Sequence, residues 1–197
     1  MEENNYLSEK IIIIEDDEVA AEALKELLND EGYKSVFTCH SGEKGIQFIE
    51  ECFEYKDFPG VILLDFQLPD LSGNIVLEKI GKLRTEEHHF FHTIMVSGRG
   101  TVDTAFLCSQ LGAMKFIQKA SDRFIDEILE FIPVALKERE MINQLIFSPL
   151  TPHEKLNILA DPEMILSEVG SLYSMKMLLN EVRNQQDQES LDDISSW

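Results

Sequence analysis

The chain has 197 residues with 37 acidic and 17 basic side chains, and its formal net charge of −20 argues against a nucleic-acid partner, because phosphate backbones are bound by basic surfaces. No apolar run approaches the roughly 18 residues that span a bilayer, and the N-terminus is polar and acidic, so we expect neither a membrane segment nor a signal peptide. The three scattered cysteines are typical of buried thiols in a reducing compartment, which predicts a cytoplasmic protein.

Strand-sized apolar runs alternate five times with amphipathic helical segments. The predicted strands are Lys10–Ile14, Lys34–Thr38, Val61–Leu64, Thr93–Val96 and Lys115–Gln118. The predicted helices are Val19–Asp30, Ser41–Tyr55, Ser72–Leu83, Thr101–Gly112 and Ser121–Ile132. Strands that are apolar on both faces and joined by crossover helices indicate a parallel sheet covered on both sides. We therefore predict an α/β fold, a doubly wound five-stranded parallel sheet of the (βα)5 flavodoxin-like kind, with a helical C-terminal extension.

Prolines mark the end of this pattern. Pro133 lies inside the last predicted helix, where proline removes a backbone hydrogen bond, so we expect a kink or a restart there. Helical periodicity breaks over residues 148–152, and Asp161-Pro162-Glu163 then predicts a new helix start. The predicted division is a flexible N-terminus over residues 1–9, a domain over residues 10–147, and a helical, partly disordered extension over residues 148–197.

Polar side chains follow four of the five predicted strands. Glu15, Asp16 and Asp17 follow the first strand, Asp65 the third, Ser97 the fourth and Lys119 the fifth. Any one of these acids is more simply explained as a helix cap. Helix capping does not explain polar side chains at all four strand ends together. Ligands of open parallel sheets bind beyond the carboxyl ends of the strands, where converging carboxylates favour a hard cation such as Mg²⁺ over Zn²⁺. A carboxylate nucleophile, Mg²⁺, a lysine and a hydroxyl together make a phosphoryl-acceptor site.

Four segments resemble the receiver domain of response regulators, in the same order along the chain, and cover residues 10 to about 132. They are Ile11-Ile-Ile-Ile-Glu15-Asp16-Asp17-Glu18, Val61-Ile-Leu-Leu-Asp65-Phe-Gln-Leu-Pro69-Asp70-Leu-Ser-Gly73, Ile94-Met-Val-Ser97-Gly98 and Gly112-Ala-Met-Lys-Phe116-Ile-Gln-Lys119. In that family the first segment carries an acidic pair, the second the phosphorylated aspartate, the third a Ser/Thr switch, and the fourth an aromatic switch and a lysine. The chain is thus similar to receivers of two-component signal transduction, which share the fold of the chemotaxis proteins.

The resemblance implies a metal site and a phosphorylation site. Asp65 is expected to be the phospho-acceptor. Glu15 and Asp16 align with the acidic pair, and Glu15 is expected to reach the metal through water. The implied Mg²⁺ ligands are Glu15, Asp16, Asp65 and the backbone carbonyl of Gln67.

The resemblance also implies a switch. Ser97 is expected to bind the phosphoryl oxygens and Lys119 to pair with them, while Phe116 rotates inward as Ser97 moves. The change is relayed to the face formed by the fourth helix, fifth strand and fifth helix. The family usually has proline after the lysine, often in a cis peptide bond, whereas Ala120 follows Lys119 here. A non-proline cis bond costs roughly 3–4 kcal/mol, so this bond is left open as cis or trans.

The predicted function is a two-component response regulator, a Mg²⁺-dependent switch at Asp65 that signals by protein–protein interaction and is not a dedicated enzyme. The expected partners are a sensor histidine kinase or a histidine phosphotransfer protein, with a possible homodimer through the face described above. One alternative is a phosphorelay or phosphate-sink carrier, which uses the same site. Another is a pseudo-receiver that acts as a dimer scaffold, and the complete set of acceptor residues argues against it.

The extension carries a fainter resemblance. Ser97-Gly-Arg-Gly-Thr-Val-Asp-Thr-Ala105 resembles receivers of NtrC-type activators, and residues 169–183 resemble the entry helix of their ATPase domain. The motif G-x-x-x-x-G-K-[ST] does not occur, so the resemblance implies a receiver without its output domain. The alternative is a generic amphipathic helix over residues 172–185.

The apolar stripe of this helical pattern is too small to fold alone. We expect it to dock on the receiver, on a second copy or on a partner, and we take the face of the fourth and fifth helices as the hypothesis for its site. Three histidines precede the fourth predicted strand. We predict a solvent-exposed loop for His88, His89 and His92.

Overall fold

The computed structural model describes residues 6–86, 89–161, 166–167, 170, 173–176 and 178. In these residues, strands and helices follow one another as β1 Lys10–Ile14, α1 Glu18–Asp30, β2 Ser35–Cys39, α2 Gly42–Glu54, β3 Val61–Asp65, α3 Gly73–Glu86, β4 His92–Ser97, α4 Val102–Gln110, β5 Lys115–Gln118, α5 Phe124–Ile146 and α6 Pro152–Leu159. The strands are parallel, in the order β2-β1-β3-β4-β5. The predicted doubly wound α/β sandwich is confirmed. Across the described residues, no helix is long and apolar enough to span a membrane.

The sheet separates two layers of core. Ile12 and Ile14 point to one face, where they pack with α2, α3 and α4 residues such as Ile46 and Val76. Ile11 and Ile13 alternate onto the other face, beneath α1 and α5. Because both faces are covered, β1 and β3 are buried along their whole length. The winding reverses between β1 and β3, so the residues that follow these two strands lie side by side at the carboxyl edge of the sheet. The three cysteines are buried and free.

Helix α5 does not restart at Pro133. It runs without interruption over Phe124–Ile146, where the sequence pattern predicted an end at Ile132 and a kink or a restart at the proline. Buried residues lie on both sides of Pro133, including Ile132 and Ala135. Packing of this face against the sheet outweighs the loss of one backbone hydrogen bond.

Helix α6 was not predicted from the sequence. Thr151 and Glu154 form a reciprocal capping box: the Glu154 amide donates to Oγ1 of Thr151 at 3.3 Å, and the Thr151 amide donates to Oε2 of Glu154 at 2.8 Å. Pro152 stands in the first turn, where its missing N–H costs nothing. The pattern T-P-x-E was therefore a helix-start signal within the proline-rich break. Of the predicted start at residues 161–163, only Asp161 lies within the described residues.

The buried residues of the C-terminal extension, among those that the structure describes, pack on the α/β domain itself. Tyr173 and Leu178 are buried in a cluster with Phe90 and Ile142. The Tyr173 hydroxyl donates to the Arg84 carbonyl at 3.2 Å. These contacts lie at the start of β4 and the end of α5, on the amino edge of the sheet. The hypothesis of docking on the α4–α5 face is therefore wrong for the described residues. The apolar surface that accepts them lies at the amino edge of the sheet, around Phe90 and Ile142.

The prediction of exposed loop histidines is wrong for His92. This residue begins β4 and is fully buried, with Nε2 at 3.3 Å from Oε2 of Glu138 on α5. Its ring meets Phe90 edge to face. His89 is half-buried and stacks on Phe58 at 3.8 Å between ring centroids. His88 lies outside the described residues. The docked extension covers this edge of the sheet, which no local pattern around the histidines reveals.

Acid is expected to destabilise the fold through His92. Burial lowers the pKa of His92 below its usual value of 6.5, against the attraction of the Glu138 carboxylate and with further lowering by Arg84. Below about pH 6.5 the unfolded chain then binds more protons than the folded one, so the free energy of unfolding falls as the pH falls. Urea unfolding at about pH 7 and about pH 5 is expected to show this loss, and His92→Gln, which does not titrate, is expected to reduce it.

A remaining pH dependence is expected in that variant, because burial lowers the pKa of His89 to about 4 with help from Arg139. His153, exposed in the first turn of α6, provides the control. His153→Gln is expected to keep the wild-type loss. An equal pH dependence in His92→Gln and the wild type would contradict the assignment.

Candidate functional site

Three carboxylates meet at the carboxyl edge of the sheet. Glu15 follows β1, Asp65 ends β3, and one oxygen from each of Glu15, Asp16 and Asp65 lies within 4.8 Å of the others. Glu15 and Asp65 are 7% and 5% exposed, whereas Asp16 faces solvent. Asp17 instead caps α1, where its side chain accepts hydrogen bonds from the amides of Val19 and Ala20. Asp17 is therefore outside the acidic cluster.

Lys119 joins the two buried carboxylates. Its Nζ lies 2.5 Å from Oε2 of Glu15 and 2.6 Å from Oδ2 of Asp65. Burial acts to lower the pKa of Lys119, but the hydrogen bonds and charges of Asp65 and Glu15 outweigh it and raise the pKa. For Glu15, burial is the largest effect and raises the pKa, although Lys119 opposes it. The cluster thus holds excess negative charge in a partly buried site, and a further cation bound there would stabilise the ionised carboxylates.

The position of Lys119 is set by its backbone. Its amide donates to the Ser97 carbonyl at 2.9 Å, which continues the pairing of β4 with β5 beyond the last ladder residues. Within the described residues no peptide bond is cis, so the bond from Lys119 to Ala120 is trans. The lysine therefore reaches Glu15 and Asp65 without the proline that the family usually has.

A tight loop after β3 shapes the other side of the site. The Gln67 amide donates to Oδ1 of Asp65 at 2.9 Å, and a bridge between Gln67 and Ser72 closes the loop. A Cβ atom on Gly73 would lie 2.7 Å from Cα of Phe66, so only glycine fits where the loop enters α3. The Gln67 backbone is thereby held beside the phospho-acceptor candidate.

Ser97 and Phe116 lie on the neighbouring strands. Ser97 ends β4 and is fully buried, and its Oγ accepts a hydrogen bond from the Arg99 amide at 3.2 Å. Phe116 is half-buried in β5, and its ring packs so closely on Gly100 that a Cβ there would lie 2.7 Å from Cζ. Beside the ring, a groove of about 330 Å³ opens between α4, β5 and α5. A movement of the Phe116 ring would therefore change the shape of this groove.

No sequence pattern singles out Asp70, which the structure brings against α2. Its Oδ1 accepts a hydrogen bond from the Gly42 amide at 2.9 Å, and its Oδ2 accepts one from the Glu43 amide at 2.8 Å. The partners are 28 and 27 residues apart in sequence. A contact between residues so far apart produces no periodic pattern in the local sequence. The only signal was an aspartate after Pro69 in a loop.

A parallel five-stranded sandwich with an acidic cluster and a lysine at its carboxyl edge defines a receiver-type signalling domain. Residues 11–131 match the family model of the response regulator receiver domain. The chain belongs to this family and carries a response regulator receiver domain of two-component systems, as the resemblance predicted.

Relatives and solved structures agree with this assignment. The regulatory protein VanRc of Enterococcus gallinarum is 27% identical over 143 residues, which are 73% of this chain and 56% of that protein. The cell cycle transcriptional regulator CtrA of Caulobacter vibrioides is 30% identical over 112 residues, 56% of this chain and 43% of that protein. The chain spans about half the length of these curated relatives. A CheY-like receiver domain from Methanospirillum hungatei superposes with a TM-score of 0.58 at 30% identity, over 68% of this chain and 98% of that one.

Proposed function

We propose that the protein is a Mg²⁺-dependent switch whose phospho-acceptor is Asp65. The observation that supports this proposal is the Asp65 carboxylate itself, which is buried, fixed by the Gln67 amide and Lys119, and adjacent to two more acids. In the proposed step, a carboxylate oxygen of Asp65 attacks the phosphorus of a phosphohistidine or an acyl phosphate. The bond from phosphorus to the histidine nitrogen or the acyl oxygen breaks, and the leaving group takes the electron pair.

The donor set fits Mg²⁺. All side-chain ligands are carboxylates, the hard oxygen donors that this ion prefers, and Lys119 neutralises only one of the three charges. The ion would be held by Glu15, Asp16, Asp65 and the backbone carbonyl of Gln67. Bound there, it neutralises charge on the transferring phosphoryl group. Lys119 would then exchange its contact with Asp65 for one with the phosphoryl oxygens.

The switch would act through Ser97 and Phe116. Ser97 would turn its Oγ from the Arg99 amide to a phosphoryl oxygen, and Phe116 would follow toward the space that Ser97 leaves. The groove beside Phe116 would change shape, so the α4–β5–α5 face is the proposed output surface and a possible homodimer contact. A histidine kinase or histidine phosphotransfer protein is the proposed donor. The net charge of −20 supports protein rather than nucleic-acid partners, and the three buried thiols support a cytoplasmic location.

Acetyl phosphate and Mg²⁺ are expected to add a single phosphoryl group, which intact-mass spectrometry detects. Chelation with EDTA is expected to prevent the addition, and Asp16→Ala is expected to require more Mg²⁺, because it removes one ligand. The control is Asp17→Ala, which removes the neighbouring acid and costs about 1 kcal/mol as a lost helix cap but leaves the Mg²⁺ requirement unchanged. A wild-type protein that gains no phosphoryl group, or gains it equally in EDTA, would refute the proposed function.

A further inference from the structure

The loop after β3 is tied to the start of α2 by a single carboxylate. Both oxygens of Asp70 accept hydrogen bonds from α2 amides, those of Gly42 and Glu43, and Oδ1 also accepts one from the Leu71 amide at 2.9 Å. The third amide of this turn, that of Lys44, donates to Oγ of Ser41 at 3.3 Å. Two side chains from different segments therefore share the capping of one helix, Ser41 locally and Asp70 from across the site.

The contact is close as well as polar. A Cβ atom on Gly42 would lie 2.8 Å from Cγ2 of Val76 and 3.0 Å from Cβ of Leu71, so the backbone of α2 rests directly on the loop and on α3. The slight burial of Asp70 acts to raise its pKa, but the hydrogen bonds from Glu43, Gly42 and Leu71 outweigh it and lower the pKa to about 2. These hydrogen bonds therefore favour the ionised form of the carboxylate, which is the form that accepts them.

The loop that Asp70 holds is the one that carries Gln67. Its two ends are fixed by β3 and by the Gly73 amide, which donates to the Phe66 carbonyl at 2.8 Å. Its tip, after Pro69, is fixed by Asp70 on α2. Contacts of this kind, which lie behind the metal ligands, orient the groups that bind the metal directly. Loss of the contact between Asp70 and α2 is therefore expected to weaken metal binding.

We propose that Asp70 is a positioning residue for Mg²⁺, which clamps the β3–α3 loop to the first turn of α2 and so holds the Gln67 carbonyl in place beside the acidic cluster. This inference rests on the proposed function. Asp70 itself does not touch the metal or the phosphoryl group. Its effect is on metal affinity, and the chemistry at Asp65 is unchanged once the metal is bound.

Calorimetric titration of the full chain with Mg²⁺ tests the clamp. Asp70→Ala is expected to weaken Mg²⁺ binding about tenfold. In the acetyl phosphate reaction, the same variant is expected to be slow at low Mg²⁺ and to recover the wild-type rate when Mg²⁺ is saturating. Asp70→Asn keeps one acceptor oxygen, so it is expected to weaken binding in the same direction by a smaller factor and serves if the alanine variant does not fold.

Ser41→Ala is the matched control, because it removes a cap from the same helix turn without releasing the loop. Its Mg²⁺ affinity is expected to equal that of the wild type, although its stability falls. The inference is overturned if the Asp70 variants bind Mg²⁺ as tightly as Ser41→Ala while the wild type binds normally. A wild type that binds no Mg²⁺ overturns the proposed function, and with it the clamp.

Discussion

Asp65→Asn is expected to abolish labelling by acetyl phosphate. The amide that replaces the carboxylate is not a nucleophile, so no phosphoryl group can be transferred to this position. The fold is expected to survive, since an amide oxygen still accepts the hydrogen bond from the Gln67 amide and Lys119 keeps its ion pair with Glu15. Intact-mass spectrometry after reaction with acetyl phosphate and Mg²⁺ measures the loss.

The control for this variant is Asp103→Asn, which makes the same chemical change on the exposed first turn of α4. It is expected to be labelled as fully as the wild type. Circular dichroism of both variants shows whether the fold is intact. Labelling of Asp65→Asn to the wild-type extent would rule out Asp65 as the acceptor and would direct attention to Glu15 and Asp16.

Tyr173→Ala is expected to lower the free energy of unfolding by about 3 kcal/mol, the cost of removing a large buried aromatic side chain. Tyr173 is 5% exposed and lies in the cluster with Phe90, Ile142 and Ile146. Its ring centroid is 4.7 Å from that of Phe90, and the Arg84 guanidinium lies 5.5 Å from the ring centroid. Truncation therefore leaves a void above the start of β4. Urea unfolding at neutral pH measures the loss.

Two controls separate packing from other effects. Tyr173→Phe keeps the ring and loses only the hydrogen bond to the Arg84 carbonyl, which is worth about 1 kcal/mol. Met175→Ala truncates a half-exposed side chain two residues along the same segment and is expected to stay within about 0.5 kcal/mol of the wild type. If Tyr173→Ala costs no more than Met175→Ala, the extension is not docked in solution.

The contacts of the docked extension concern the predicted domain boundary at residue 147. That boundary stays a prediction. The Ser167 amide donates to Oε1 of Glu138 at 2.7 Å, and a Cβ on Gly170 would lie 2.7 Å from Cδ1 of Ile142. Both contacts are with α5, inside the predicted domain. A fragment that ends at residue 147 is therefore expected to expose Phe90 and to leave the Glu138 carboxylate with fewer partners, at a cost in stability.

The sequence by itself determined the sheet and the acidic site. Ile11–Ile14 and Val61–Leu64 are apolar at every position, which is the pattern of strands buried on both faces, and this pattern can be recognised within a few consecutive residues. Glu15 and Asp65 stand directly after these runs, so parallel pairing of the strands was sufficient to bring them together. The similarity to receivers then supplied the roles that we propose for Ser97, Phe116 and Lys119.

Only the tertiary structure decided which distant groups touch. His92 meets Glu138, Asp70 meets the start of α2, and Tyr173 meets Arg84, a partner 89 residues away. Each contact depends on how separate elements pack, and a side chain in a loop or at a strand start has the same local sequence whether or not it is covered. Local sequence patterns therefore specified the five strands, the first four helices and the acids at the strand ends. The full length of α5, the contact of Asp70 with α2 and the docking of the extension depend instead on contacts between segments far apart in the chain.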